Sequence, residues 1–180
     1  MPINYLAPDI LRRARRIRLA VFDFDGTLTC GRTWFASADE ELKALHAFDA
    51  EGLQMLHACR IDTAVITTGE IPSADDHARA LHIRYVLQKV EDKHKAFRAL
   101  LRRAKLPADR VSYMGDDLVD LAVLMKCGLA AVPFGAPEEV RRAAHFISSA
   151  AAGSGAAREF CEFVLLAQER LESITKKHKK

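Results

Sequence analysis

An apolar run, Val21-Phe22, ends at two aspartates two residues apart, Asp23 and Asp25, and Gly26-Thr27 then bends the chain away. In open α/β sheets, ligand sites lie at the carboxyl ends of strands. Two carboxylates held there repel each other and require a cation, and hard oxygen donors suit Mg²⁺. Met114-Gly115-Asp116-Asp117-Leu118-Val119-Asp120 repeats the arrangement, with acids directly after an apolar run and before a helical pattern. If Val111–Met114 lies beside the first strand, Asp116 joins Asp23 on one octahedral metal. Val65-Ile66-Thr67-Thr68-Gly69 adds a strand tip ending in a hydroxyl and a glycine, and Lys93 adds a cation at the start of a helix.

These are the parts phosphoryl transfer needs. A carboxylate nucleophile, a metal and a cation neutralise developing charge, while a hydroxyl and backbone N–H groups hold the phosphate. The second carboxylate, Asp25, can protonate the leaving alkoxide and then deprotonate the attacking water. Each piece alone has a plainer reading. A D-x-D pair can be an acidic loop, Thr68-Gly69 a strand-to-turn junction, Lys93 a solvated helix residue, and Asp116-Asp117 a cap on a helix dipole. All four in this order, three of them at strand ends, favour the chemistry.

Positioning them requires a parallel sheet with crossover helices, and the chain alternates accordingly. The predicted strands are Arg18–Phe24, Thr63–Thr67, Tyr85–Leu87, Val111–Met114, Leu129–Val132 and His145–Ile147. Several lack in/out alternation, as strands covered on both faces do. Helices are predicted over Ala50–Cys59, with Leu53, Leu56 and His57 on one side, and over Ser73–Leu81 from a Ser cap. Further helices are predicted over Lys93–Ala104, Leu118–Lys126, Glu138–Ala144 and a long Ala156–Leu171. A short basic helix, Leu11–Arg18, leads into the first strand; an organelle transit peptide is the weaker reading of that segment. Ala150–Ala157 reads as a low-complexity hinge. Between Asp25 and Ala50 the turn and strand signals predict an inserted β-hairpin, about residues 31–47, too short to form a cap domain.

The 180 residues suit one domain spanning 1–180, with a flexible tail over about 173–180. The net charge of +3 arises from 27 Lys+Arg against 24 Asp+Glu, and much of the excess sits in Arg12–Arg18 and Lys176–Lys180. Without those ends the body is acidic, so no nucleic-acid groove is expected. Cys30, Cys59, Cys127 and Cys161 form no C-x-x-C pair, which argues against a zinc site or a disulfide framework and for a reducing cytoplasm. No apolar run has the length of a membrane span, and no signal peptide is evident.

With these residues in hand, the chain resembles the haloacid dehalogenase-type phosphatases. DFDGT matches their first motif, Thr68 the second, Lys93 the third, and Gly115-Asp116-Asp117 with Asp120 the fourth. More narrowly it is similar to the capless branch typified by 3-deoxy-D-manno-octulosonate (Kdo) 8-phosphate phosphatase, from about Arg16 to Gln168, including ELKALHAFDAEGL and GDDLVDLAVL. The resemblance implies a Rossmann-like α/β fold, a helix-flanked parallel sheet with a hairpin after strand 1 and no cap domain. It also implies a homotetramer in which hairpins form a central barrel and a C-terminal segment reaches a neighbour's site. Asp23 is then nucleophile and metal ligand. Asp25 is acid/base and lends the metal its main-chain carbonyl, Thr68, Gly69 and Lys93 bind phosphate, and Asp116 completes the metal ligands. Asp117 and Asp120 support them, Asp120 by orienting Lys93 or a water on the metal.

Departures from that branch fall on the part that reads the substrate. Glu70 stands where Kdo 8-phosphate-specific members have arginine, His77 falls near another such arginine, Phe48 and Gln54 occupy two more such positions, and Cys30 replaces an acid. Arginine recognises a sugar carboxylate by bidentate pairing. The Thr68-Gly69-Glu70 form is similar to nonulosonate 9-phosphate phosphatases of the same branch. The expected activity is therefore Mg²⁺-dependent hydrolysis of a small acidic sugar phosphate, Kdo 8-phosphate first. Asp49, Glu70, His77 and a neighbour's Arg158 are candidate substrate contacts. The alternatives are a nonulosonate 9-phosphate or other small phosphate ester, or a catalytically silent oligomeric regulatory protein.

Overall fold

In chain order the elements are α1 (Pro8–Arg16), β1 (Leu19–Phe22), β2 (Trp34–Ser37), β3 (Glu40–Leu42), α2 (Ala47–Ala58), β4 (Asp62–Ile66), α3 (Ala74–Ala80) and β5 (Tyr85–Leu87). Then follow α4 (Lys93–Ala104), β6 (Val111–Met114), α5 (Leu121–Leu124), β7 (Leu129–Phe134), α6 (Glu138–Arg142), β8 (Phe146–Ala151), α7 (Ala156–Ala167) and α8 (Leu171–Lys177). The computed structural model describes residues 7–37, 40–71 and 73–177.

Six strands form one parallel sheet in the order β5-β4-β1-β6-β7-β8. β1 sits between β4 and β6, with Phe22 level with Val65 on one side and Met114 on the other. All four residues of β1 and of β6 are buried because helices cover both faces. Alternate side chains feed two apolar layers. Ala20, Phe22, Val65, Met114 and Ala131 pack with Leu53, Leu56, Phe160 and Val164 from α2 and α7. Leu19, Val21, Ala64, Tyr113 and Val132 pack with Phe97, Leu100, Val123 and Val140 from α4, α5 and α6. The sequence switches direction of winding at β1, so the carboxyl ends of β1, β4 and β6 open onto one crevice.

The strands match the sequence reading except at their ends. β1 stops at Phe22, two residues early, because the Phe24–Leu28 turn begins there. β8 runs to Ala151, well past Ile147. Ala150–Ala157 is accordingly no hinge: its first residues belong to β8, its last two start α7, and Gly153 lies against the backbone of Thr29. A Cβ on Gly153 would come 2.6 Å from the Thr29 carbonyl carbon, and its φ is +58°, so this glycine makes a packed turn possible. Small residues here mark close approach rather than freedom.

Helices differ more. α2 begins at Ala47, where the His46 Nδ1 accepts from Phe48 N at 3.2 Å, and His57 is exposed rather than inward. Ser73 adopts φ +49° and makes no side-chain cap bond to α3. The helix expected over Leu118–Lys126 is a short 3₁₀ turn, Leu118–Asp120, followed by the single turn of α5. The long last helix breaks after Ala167 at left-handed Glu169 and restarts as α8, so residues 173–177 are helical; residues 178–180 lie outside the described residues. The hairpin is confirmed: β2 and β3 pair antiparallel, Trp34 opposite Leu42, as a separate two-stranded sheet. No described helix is long and apolar enough to cross a membrane, and the four cysteines are free.

Candidate active site

Asp23 leaves the end of β1 still extended, its N–H donating to the Met114 carbonyl at 2.8 Å, so β1 and β6 stay in register up to the first carboxylate. The chain then turns back at Gly26, with φ +86° and Thr29 N donating to Phe24 O at 2.9 Å. A Cβ on Gly26 would collide with the Asp116 carboxylate. Glycine therefore does two things at this position: it takes a left-handed backbone and admits the acid of the neighbouring strand. Thr27 Oγ1 donates to Asp116 Oδ1 at 3.2 Å, fixing that acid against the turn.

Beneath these acids lies a buried charge network. Asp92 caps α4 by accepting from Lys95 N at 2.9 Å, which sets Lys93 as the first residue of the helix, only 4% exposed. Its ammonium donates to Asp23 Oδ1 at 2.5 Å and to Asp120 Oδ1 at 2.7 Å. Tyr113 donates its hydroxyl to the same Asp120 oxygen at 2.6 Å, and Asp120 Oδ2 accepts from Asp116 N and Asp117 N at 3.1 and 3.2 Å. Burial pushes Asp23 up to about 8 against the opposing pull of Lys93. Burial, then the charge of Asp120, pushes Asp116 up to about 6. For Lys93 burial acts downward, but Asp23 and Asp120 outweigh it and hold the ammonium above its usual value.

The donor set fits a divalent cation. Ligand oxygens of Asp23, Asp116 and Asp120 all lie within 4.8 Å of one another. Asp120 already accepts on both oxygens, so Asp23 and Asp116 are the acids with donor capacity to spare. Among the described residues, Asp23, Asp116 and Asp120 surround the single ammonium of Lys93, an excess of acid groups whose protons a hard dication would displace.

Asp25 points away from that cluster toward the hairpin. Lys43, just after β3, donates to Asp25 Oδ2 at 2.7 Å and to the Glu70 carbonyl at 3.0 Å. Thr29 Oγ1 donates to Asp25 Oδ1 at 3.4 Å. Gly69 closes the other side: a Cβ there would meet Asp25 Oδ2 at 3.1 Å. Thr68 stands exposed at the tip of β4, while buried Thr67 turns its hydroxyl to accept from Gly69 N at 3.1 Å. Asp23, Asp25, Thr68, Gly69, Lys93, Asp116 and Asp120 thus gather at the ends of three adjacent strands and the start of α4.

The other predicted residues lie elsewhere or serve the fold. Asp117 caps the 3₁₀ turn, accepting from Leu118 N at 2.7 Å in a capping box with Asp120. Asp49, 1% exposed, is no cleft residue: its two oxygens accept from Gly155 N and Arg158 N at 3.0 and 2.9 Å, capping α7 from a distant part of the chain. Glycine at the α7 N-cap position has no side chain to do this, so a borrowed carboxylate satisfies the first-turn amides. Arg158 pairs with Glu162 at 2.7 Å within α7, Glu70 pairs with Lys89 at 2.8 Å, and His77 sets its ring edge-on to Phe24, centroids 6.4 Å apart. Sequence reasoning missed Lys43, Tyr113 and Thr27. Tyr113 reads as core because it occupies a fully buried strand. Lys43 carries no local pattern, since its partners come from three separate segments.

Comparison with known proteins bears on this geometry. No family model matches the chain. The 3-deoxy-D-manno-octulosonate 8-phosphate phosphatase of Yersinia pestis is 35% identical over 170 residues, covering 94% of this chain and 91% of that protein. Among solved structures, the enzyme of that name from Moraxella catarrhalis, in complex with a magnesium ion, a phosphate ion and a KDO molecule, superposes with a TM-score of 0.91. It is 30% identical, over 94% of this chain and 98% of that one. A HAD superfamily (subfamily III A) hydrolase from Legionella pneumophila superposes with a TM-score of 0.89 at 32% identity, over 96% and 95% of the two chains. With its six-stranded parallel sheet and this cluster of acids, the chain belongs to the 3-deoxy-D-manno-octulosonate 8-phosphate phosphatase family of the haloacid dehalogenase superfamily and is a phosphoric monoester hydrolase.

Proposed function

We propose that this protein hydrolyses Kdo 8-phosphate to the free sugar acid and phosphate, with Mg²⁺ as its metal. One observation carries the reading: a relative solved with magnesium, phosphate and KDO shares this fold at a TM-score of 0.91, and here Asp23, Asp116 and Lys93 converge in that fold. Asp23, Asp116 and the main-chain carbonyl of Asp25 would hold the cation. When bound, Mg²⁺ supplies positive charge against the phosphoryl oxygens and the buried acids. Asp23 attacks phosphorus through Oδ2, the oxygen that Lys93 leaves open, and the bond from phosphorus to the sugar oxygen breaks. Asp25 gives its proton to the departing alkoxide. It then takes a proton from the water that cleaves the aspartyl phosphate. Lys93 offsets charge on Asp23 and the phosphate, and Thr68 with the Gly69 amide donates to phosphate oxygens.

The same reading makes residues 1–180 one domain and the active protein a homotetramer built through the hairpin. Trp34 and Leu42, paired across β2 and β3, support this at 45% and 47% exposed, as does Phe35 on the other face at 69%: large apolar side chains that a single copy leaves in water. A second substrate reading has its own support. The Thr68-Gly69-Glu70 form is similar to that of nonulosonate 9-phosphate phosphatases, and the Glu70 carboxylate, paired with Lys89 at 2.8 Å, leaves this position without the arginine that would read a Kdo carboxylate. Turnover of a panel of sugar phosphates with Mg²⁺ separates the two. Hydrolysis of Kdo 8-phosphate, abolished by Asp23→Asn, is the expected result; turnover of a nonulosonate 9-phosphate without Kdo 8-phosphate would overturn the substrate assignment, and an active Asp23→Asn the mechanism.

A further inference from the structure

Lys43 sits where three segments meet. Its side chain is 6% exposed although it follows an exposed hairpin strand. The ammonium donates to Asp25 Oδ2 at 2.7 Å, pairs with Glu41 Oε1 at 3.3 Å and donates to the Glu70 carbonyl at 3.0 Å. It also lies 5.8 Å from the centre of the Phe24 ring, between the two aspartates in sequence. Glu41 in turn accepts from Thr33 Oγ1 at 3.3 Å across the hairpin. A continuous line of polar contacts therefore runs Thr33–Glu41–Lys43–Asp25, from the hairpin into the site. Burial acts against the charge of Lys43, but Asp25 and Glu41 outweigh it and keep the ammonium above its usual value.

We propose that Lys43 is a positioning residue for the reaction: it fixes the Asp25 carboxylate against the β4 tip and makes the placement of the acid/base depend on the hairpin. Without it, among the described residues Asp25 keeps only the long 3.4 Å contact from Thr29 and is free to rotate toward solvent, to which its side chain is already 37% exposed. Proton delivery demands placement within hydrogen-bond reach of the departing oxygen, so loss of orientation weakens that step selectively. Lys43 itself touches no reacting atom.

The inference rests on Asp25 being the acid/base, and the test separates the two. Lys43→Met, with Lys43→Gln as a second variant should the first fail to fold, is compared with wild type on phenyl phosphate and 4-nitrophenyl phosphate. A poor leaving group needs the proton and a good one does not. The ratio kcat/KM, which covers the steps through alcohol departure, is expected to fall about tenfold to a hundredfold on phenyl phosphate and less than about threefold on 4-nitrophenyl phosphate. In an Asp25→Asn background the same substitution should change either value by less than about twofold, because the group it positions is already gone. An equal fall on both esters, or a full effect added to Asp25→Asn, overturns the role of Lys43. Wild-type turnover that is equally sensitive to leaving group with and without Asp25 overturns instead the reading of Asp25.

Discussion

Replacing Lys93 with methionine removes the ammonium buried among Asp23, Asp116 and Asp120. The side chains of Lys93, Asp23 and Asp120 are 3%, 5% and 0% exposed, so water cannot take over its work. At the 2.5 and 2.7 Å separations seen here, each pair attracts by about 6 kcal/mol at an effective dielectric of about 20. Desolvation of the ions offsets most of that, and breaking a buried pair from one side costs about 3–5 kcal/mol net. The loss should depend on pH with a definite sign. Asp23, already pushed up to about 8 with Lys93 in place, carries a proton at pH 5 in either protein, so there its contact with Lys93 is no longer an ion pair. Lys93→Met is thus expected to lose about 3–5 kcal/mol at pH 8 and about half as much at pH 5. Urea unfolding in EDTA at both pH values measures the difference by linear extrapolation. A loss below about 1 kcal/mol at pH 8, or equal losses at the two pH values, would falsify the argument that Lys93 compensates a buried anionic cluster.

The same charges govern metal binding. With Asp23 and Asp116 raised to about 8 and about 6 from an ordinary 3.8, the metal-free folded protein binds more protons than the unfolded chain above pH 4, so its stability falls as pH rises toward 8. Mg²⁺ must displace those protons, and calorimetric titration should show tighter binding at pH 8 than at pH 6; a flat or opposite trend refutes it. Asp49→Ala strips the borrowed cap from α7, so we expect a loss of about 1–2 kcal/mol in thermal or urea unfolding with KM within about twofold of wild type. A large rise in KM without a stability change would return Asp49 to the substrate site.

Much of the site was legible in one dimension because its chemistry is local. Asp23, Asp25 and Gly26 follow one apolar strand within four residues, Asp116 and Asp120 follow another, and both strands announce burial on two faces by having no polar alternation. Lys93 was visible as a cation at the start of a helical pattern; the Asp92 cap that sets it there came with the structure. Asp49 and Lys43 were not, and for one reason. Asp49 looks like an available acid until the fold brings it, across 106 residues, to an α7 start that glycine leaves uncapped. Lys43 looks like an exposed hairpin cation until Asp25, Glu41 and the Glu70 carbonyl close around it.

The alanines and glycines near residue 153 mislead in the same way, since small side chains mark a hinge in a free chain and close packing in a folded one. What the sequence by itself determined, then, was the phosphatase family, carried by contiguous acidic motifs at strand ends. Only the tertiary structure decided which charges find partners. Pairing depends on distances of a few ångströms between segments that the order of residues leaves unconstrained.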